Sequence, residues 1–289
     1  MGFQRRDIID RLREQTAQGK AILGAGCSNG LIAKCAEIGG ADLIIVYSTG
    51  KTRMMGIPTT MINGFSNEIT LGMLDELRNV VHGTPLIAGI EAGDIYCLNL
   101  EESVQRFIDK GFSGVINFPT VGLTENIWGG DDMLERKTRS ALAKGFGQQN
   151  WGWEREVEMI RLLREKGIFT MTYCVSIADA EDMARAGADM ICAHAGPSKG
   201  GLAGWEVDEQ SDAMMAHFQD MMKAVRAINP DIFFVIHGGP FYDPESTAVI
   251  YEKTDAEGFV AASAVERIPV EKAVTEVCCG FKQHRIRRC

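Results

Sequence analysis

Gly167-Ile-Phe-Thr-Met-Thr-Tyr-Cys-Val-Ser-Ile-Ala-Asp-Ala-Glu-Asp-Met-Ala-Arg-Ala-Gly-Ala-Asp-Met-Ile-Cys-Ala-His-Ala195 holds two apolar runs with an amphipathic segment between them. The runs, residues 169–175 and 189–195, are continuous rather than alternating. Strands of a parallel sheet read this way because helices cover both of their faces. Residues 180–186 have helical patterning and stop at Gly187, the residue that most readily takes the left-handed turn ending a helix. The stretch is therefore one strand–helix–strand unit.

The unit recurs along the chain. Further apolar runs fall at residues 21–26, 43–48, 85–91, 114–119, 232–237 and 258–263, and helical segments stop at Gly39-Gly40, Gly111 and Gly167. Eight strands alternating with helices close on themselves, so the sequence predicts an α/β protein, a single (β/α)8 TIM barrel over residues 1–289. The rival, an open doubly wound sheet, calls for a dinucleotide-binding glycine fingerprint with an acid downstream, and none is present. Residues 1–20 read as an N-terminal helix over the barrel's bottom. Residues 120–150 form a long insertion after strand 4, of a length that in barrels serves as a lid or an oligomer contact.

Composition narrows the function. The 289 residues are 45% hydrophobic and 24% charged, ordinary for a globular protein. The net charge of −9 argues against nucleic acid and anionic membranes as partners, while leaving room for a local basic pocket and a small anionic metabolite. No apolar run approaches the ~18 residues of a membrane span, and Met1-Gly-Phe-Gln-Arg-Arg6 lacks the apolar core of a signal peptide. The eight cysteines form no Cys-x-x-Cys pair, which reads as reduced thiols in a cytoplasmic protein.

In a barrel of this kind the chemistry sits at the carboxyl ends of the strands. His194 and His237 end strands 6 and 7, which are neighbours, and either could move a proton or the two could share a metal. Glu91 and Asp94 end strand 3, where they could act as a base, hold Mg2+ or another divalent cation, or pair with Arg53. Gly26 and Ser28, in the glycine-rich loop after strand 1, could bring backbone N–H groups to a substrate carboxylate. Gly238 and Gly239, with Ser263 and Glu266 after strand 8, occupy the position where barrels bind phosphate. Arg53 could clamp an anion. Tyr47, Ser48, Asn117 and Tyr173 complete the polar set at the rim. Cys27 is a conceivable nucleophile without an evident base. No organic cofactor is expected, and a homo-oligomer is.

The longer motifs carry a resemblance. Asn117-Phe-Pro-Thr-Val-Gly-Leu123, Glu156-Val-Glu-Met-Ile-Arg161, Ala193-His-Ala-Gly196, His237-Gly-Gly-Pro240 and Ala262-Ser-Ala-Val-Glu-Arg-Ile-Pro269 resemble the phosphoenolpyruvate hydrolase-like family, also called the barrel signal-transduction family. Gly24-Ala-Gly26 and the phrase from Tyr47 to Gly56 fit it too, and the likeness runs over roughly residues 15–275. The resemblance implies a TIM barrel akin to the phosphoenolpyruvate mutase and isocitrate lyase group, whose members act on small 2-oxo acids or enol phosphates, commonly with Mg2+. It implies an enzyme that hydrolyses or cleaves such a substrate. Two alternatives stand beside it: a metabolite-sensing or partner-binding barrel, and a metal-dependent retro-Claisen or retro-aldol lyase using both histidines. The sequence departs from the family text after Ala88-Gly-Ile90, where Glu91, Ala92 and Gly93 precede Asp94.

Overall fold

The computed structural model describes residues 2–57, 64–123, 152–207 and 210–287. The insertion expected at residues 120–150, with its lid or oligomer-contact role, lies outside the described residues from position 124 on. Eight parallel strands close a barrel in chain order: β1 Ile22–Gly26, β2 Leu43–Val46, β3 Leu86–Gly89, β4 Gly114–Ile116, β5 Phe169–Cys174, β6 Met190–His194, β7 Phe233–His237 and β8 Gly258–Ala261. Outside them run α2 Gly30–Ile38, α3 Thr49–Met54, α4 Ser66–Arg78, α5 Leu100–Lys110, α6 Trp153–Glu165, α7 Ile177–Ala186, α8 Asp212–Ile228, α9 Pro244–Lys253 and α10 Arg267–Lys282.

Local chemistry sets the boundaries. Ser176, Ser211 and Asp243 cap the first turns of α7, α8 and α9 through their side chains, satisfying donors that a helix start leaves free. Gly111 and Gly187 end α5 and α7 at φ +100° and +92°.

Side chains alternate between two cores. Leu43 and Ile45, Phe169 and Met171, Met190 and Cys192, Phe233 and Val235 fill the barrel's interior. Their strand neighbours Ile44, Val46, Ile191, Ala193, Phe234 and Ile236 pack outward against the helices. The N-terminal helix α1 (Arg5–Ala17) plugs the bottom: Ile8 and Leu12 join the interior core. Arg5 bonds Asp189, just before β6, through Nε at 2.9 and 3.1 Å. The last helix is different. Beyond Arg267 and Ile268 nothing on α10 is buried, and Val274, Val277 and Phe281 are exposed.

Candidate active site

The alternation that fills the interior continues to the top of the barrel and decides which rim residues face the mouth. Following β2, β5, β6 and β7 upward by twos brings in Tyr47, Tyr173, His194 and His237. The histidines are direct neighbours in the β6–β7 register, with ring centroids 4.7 Å apart. Tyr173 lies 4.9 Å from the His194 ring and 5.0 Å from the His237 ring. Phe118 continues the row, 5.3 Å from Tyr173 and 4.6 Å from Tyr47. Strands β1 and β3 contribute glycine at this level. A Cβ on Gly89 would overlap Tyr47 Cβ and the Phe118 carbonyl oxygen, and one on Gly26 would press on Ala262 and Arg53. Glycine there is a packing requirement of the rings and the guanidinium.

Arg53, just past the end of β2, is buried. Its Nε and Nη2 donate to Glu266 Oε2 at 2.9 and 2.8 Å, and its guanidinium lies 5.1 Å over the Tyr47 ring. Glu266, wholly buried, accepts from the Ser28 backbone N–H at 2.6 Å and from Ser28 Oγ with its other oxygen. The Gly30 N–H donates to Glu76 Oε1 at 2.6 Å. The donors of the β1 loop, expected to hold a substrate carboxylate, hold the chain's own carboxylates instead. Gly26, Ser28 and Glu266 thus form a scaffold that fixes Arg53, and Arg53 pairs with Glu266 rather than with the acids after β3.

Each histidine is tied down through Nδ1. His194 Nδ1 accepts from the Gly196 N–H at 3.0 Å. His237 Nδ1 meets the Val260 carbonyl at 2.7 Å. Neither Nε2 has a hydrogen-bond partner among the described residues, and each residue is buried with 6% exposure. Burial, and then the neighbouring His237, hold the His194 imidazole well below the usual histidine range. Burial brings His237 down to about 4, opposed by the Val260 bond and aided by the positive charge of Arg53. Both rings are neutral near pH 7. Tyr173 is 1% exposed, its ionisation pushed well up by burial and then by Tyr47, the side chain with which its hydroxyl interacts.

The glycine loops above the histidines are stitched together. Gly196, Gly238 and Gly239 take φ of +98°, +80° and +59°, which side-chain-bearing residues rarely adopt. The Gly239 N–H donates to Gly196 O and its carbonyl accepts from the Lys199 N–H, both at 2.8 Å. The Gly238 N–H has no partner among the described residues.

Other expected residues do not join this cluster. Asn117 and Ser48 fall on the outward parity. Asn117 bonds Glu156 of α6 at 2.6 Å and takes both the N–H and the carbonyl of Tyr173, so its amide ties β4 to β5 and is not available to a substrate. Ser48 Oγ is 2.6 Å from Ser66 Oγ of α4. Ser263 gives its carbonyl to the N–H groups of Arg267 and Ile268 at the start of α10. Cys27 is buried, its thiol pushed far up by burial and by Glu266, which leaves it a packing residue. Phe118, Asn67, Gly196 and the Val260 carbonyl matter to the site and carry no sequence signal beyond parity and position.

Glu91 and Asp94 form a separate group at β3. Asp94 accepts from Asn67 Nδ2 at 2.9 Å and from the Tyr96 N–H at 2.8 Å, one bond to each oxygen. Glu91 is half-buried. Burial, then Asp94, raise its carboxyl above the usual range. A divalent cation of the Mg2+ kind needs several converging oxygens. Here Asp94 already accepts two hydrogen bonds. Among the described residues no three His, Cys, Asp or Glu converge on a point. As a pair of carboxylates, Glu91 and Asp94 could serve such an ion only with water and substrate oxygens completing its shell.

The sequence model of the phosphoenolpyruvate hydrolase-like family matches residues 7–284. The ToMV susceptible protein tm-1(GCR26) of Solanum lycopersicum is 34% identical over 279 residues, 95% of this chain and 35% of that protein. The chain spans 35% to 44% of the length of the curated relatives it matches. Among solved structures, phosphoenolpyruvate phosphomutase from Streptomyces platensis subsp. rosaceus superposes with a TM-score of 0.59 at 16% identity, covering 95% of this chain and 86% of the other. Phosphonopyruvate hydrolase in complex with oxalate and Mg2+ gives 0.58 at 16% identity, covering 96% and 87%. At these identities the likeness is one of fold.

Proposed function

Since the chain belongs to the phosphoenolpyruvate hydrolase-like family, we propose that it is an enzyme acting by acid–base chemistry on a small anionic 2-oxo acid or enol-type substrate held over Tyr173, His194 and His237. The observation that carries this reading is a pair of neutral imidazoles at adjacent strand ends, each tethered through Nδ1, with the buried Tyr173 ring packed against both. Breaking a bond next to a carbonyl, by hydrolysis or by C–C cleavage, builds negative charge on an oxygen, and donors fixed in advance stabilise it most effectively. Tyr173 and the Gly238 N–H are such donors, and a neutral histidine can carry the proton. Arg53, its charge matched by Glu266, braces the Tyr47 ring beside the site. The reading routes no step through a metal ion.

The names of the two solved neighbours, a phosphoenolpyruvate phosphomutase and a phosphonopyruvate hydrolase, make phosphoenolpyruvate and phosphonopyruvate the first substrates to try. Purified protein is incubated with phosphoenolpyruvate, phosphonopyruvate and a panel of 2-oxo and 3-hydroxy acids, and product is followed by 31P and 1H NMR. Turnover that is lost in a folded His237→Gln variant supports the reading. Turnover unchanged in that variant rejects the role of His237. Binding of a metabolite with no product from any member of the panel favours a sensing barrel.

Among the described residues no helix is long and apolar enough to cross a membrane, and the seven described cysteines are free; we take the protein to work in the cytoplasm. We further propose that copies associate through α10, whose residues Val274, Val277 and Phe281 recur at helical spacing on a helix standing clear of its own barrel.

A further inference from the structure

We infer that the two histidines are locked in opposite tautomers, His237 as the proton acceptor and His194 as the hydrogen-bond donor, and that the substrate is a 2-oxo acid with a hydrogen on C3. This rests on the reading of the site given above and assigns its parts.

The argument is one of donors and acceptors. A carbonyl oxygen can only accept, so the 2.7 Å contact with Val260 places the His237 proton on Nδ1 and leaves a lone pair on Nε2. A backbone N–H can only donate, so the 3.0 Å bond from Gly196 requires a lone pair on His194 Nδ1 and places its proton on Nε2. A neutral imidazole has one nitrogen of each kind, and the partner of the first sets the second. Among the described residues no carboxylate bonds either ring, and the groups facing them are Tyr173, each other, Phe259 and, for His237, the charge of Arg53. The strands that carry the rings are paired, about 4.8 Å apart. A base and a donor therefore stand on adjacent rings with centroids 4.7 Å apart, and the Tyr173 ring packs against both.

For a 2-oxo acid the step balances without another reactant. The C3–H bond breaks and its proton goes to His237 Nε2, giving imidazolium. The released pair forms the C2=C3 bond, and the carbonyl π pair moves to the C2 oxygen. The His194 Nε2–H and the Tyr173 hydroxyl hold that oxyanion by hydrogen bonds. The reverse step protonates an enolate released by cleavage of a neighbouring bond. Gly196 and Val260 are positioning groups, acting through the rings.

The test reads tautomers directly, on the full chain with 15N-labelled histidine and no ligand, by long-range 1H–15N correlation at pH 7. His194→Gln and His237→Gln variants supply the assignments. The expected result is an Nδ1–H pattern for His237 and an Nε2–H pattern for His194. The same tautomer in both rings, the reverse assignment, or an imidazolium in either overturns the proposal, even where turnover by the site is established. In a second arm, 2-oxobutanoate is incubated with the protein in D2O and its C3 signal is followed. Loss of that signal, slowed at least ~100-fold in His237→Gln and ~100-fold or more in His194→Gln, supports the division of labour. Opposite tautomers with no C3 exchange for any 2-oxo acid tried overturn the substrate assignment and the reading of the site beneath it.

Discussion

Removing the Glu266 carboxylate should cost the protein a large part of its stability. Arg53 and Glu266 are 3% and 0% exposed, joined at 2.8 and 2.9 Å, and the second carboxylate oxygen takes the Ser28 N–H and hydroxyl. Glu266→Ala strands a guanidinium inside the barrel and orphans both Ser28 donors. Breaking one side of a buried pair costs about 3–5 kcal/mol, because the remaining charge keeps its desolvation penalty without compensation. Each orphaned donor adds up to ~1–3 kcal/mol unless water enters the space left behind. We therefore expect a loss of at least about 3 kcal/mol by urea denaturation, and at about 2 °C per kcal/mol for a chain of this size a Tm lower by ~6–10 °C. Arg53→Met added to Glu266→Ala should recover part of the loss, since it removes the stranded charge. A Glu266→Ala protein within about 1 kcal/mol of the parent, with no recovery in the double variant, would refute the view that this pair is the scaffold of the mouth.

Acid should weaken the fold through the histidines. The unfolded His237 titrates near 6.5 and the folded one near about 4. Above pH 6.5 both states are neutral and nothing changes; between 6.5 and 4 the unfolded chain takes a proton that the native protein refuses, so stability falls as pH falls, by up to about 3 kcal/mol. His194 acts in the same direction, and His237→Gln should flatten the curve when denaturation is measured across that window. Gly89→Ala should destabilise by ~1–3 kcal/mol, because its Cβ has no room against Tyr47 and the Phe118 carbonyl; unchanged urea unfolding would contradict the packed ring row. Val274→Glu with Phe281→Glu should lower the mass seen by light scattering without changing Tm by more than a few degrees, and an unaltered mass would remove α10 as the association surface.

Much of this was readable from sequence, and the rest has identifiable reasons for being hidden. The barrel was legible because strands buried on both faces leave continuous apolar runs, and because glycine marks helix ends such as Gly187. That same continuity conceals parity: nothing in residues 114–119 says whether Asn117 or Phe118 faces inward, and β4 contributes only three paired residues before the chain turns. Asn117 therefore looked like a mouth residue and proved to be a tie between strands. The β1 loop looked like an anion site, and it is one, but its anions are Glu266 and Glu76, 238 and 46 residues away from the groups they accept from. No local pattern reports a partner at that distance. His194 and His237 were found because strand ends are recognisable, whereas their tethers to Gly196 and Val260 depend on loop geometry that composition does not encode.

The most direct test of the account is a crystal structure of the protein grown with oxalate, a planar dianion shaped like the enolate of a 2-oxo acid. The account predicts oxalate density at the β5–β7 rim, with an oxygen within about 3 Å of both His194 Nε2 and the Tyr173 hydroxyl. Oxalate seated instead on the β3 side against Glu91 and Asp94, with the two histidines and Tyr173 untouched, would contradict it.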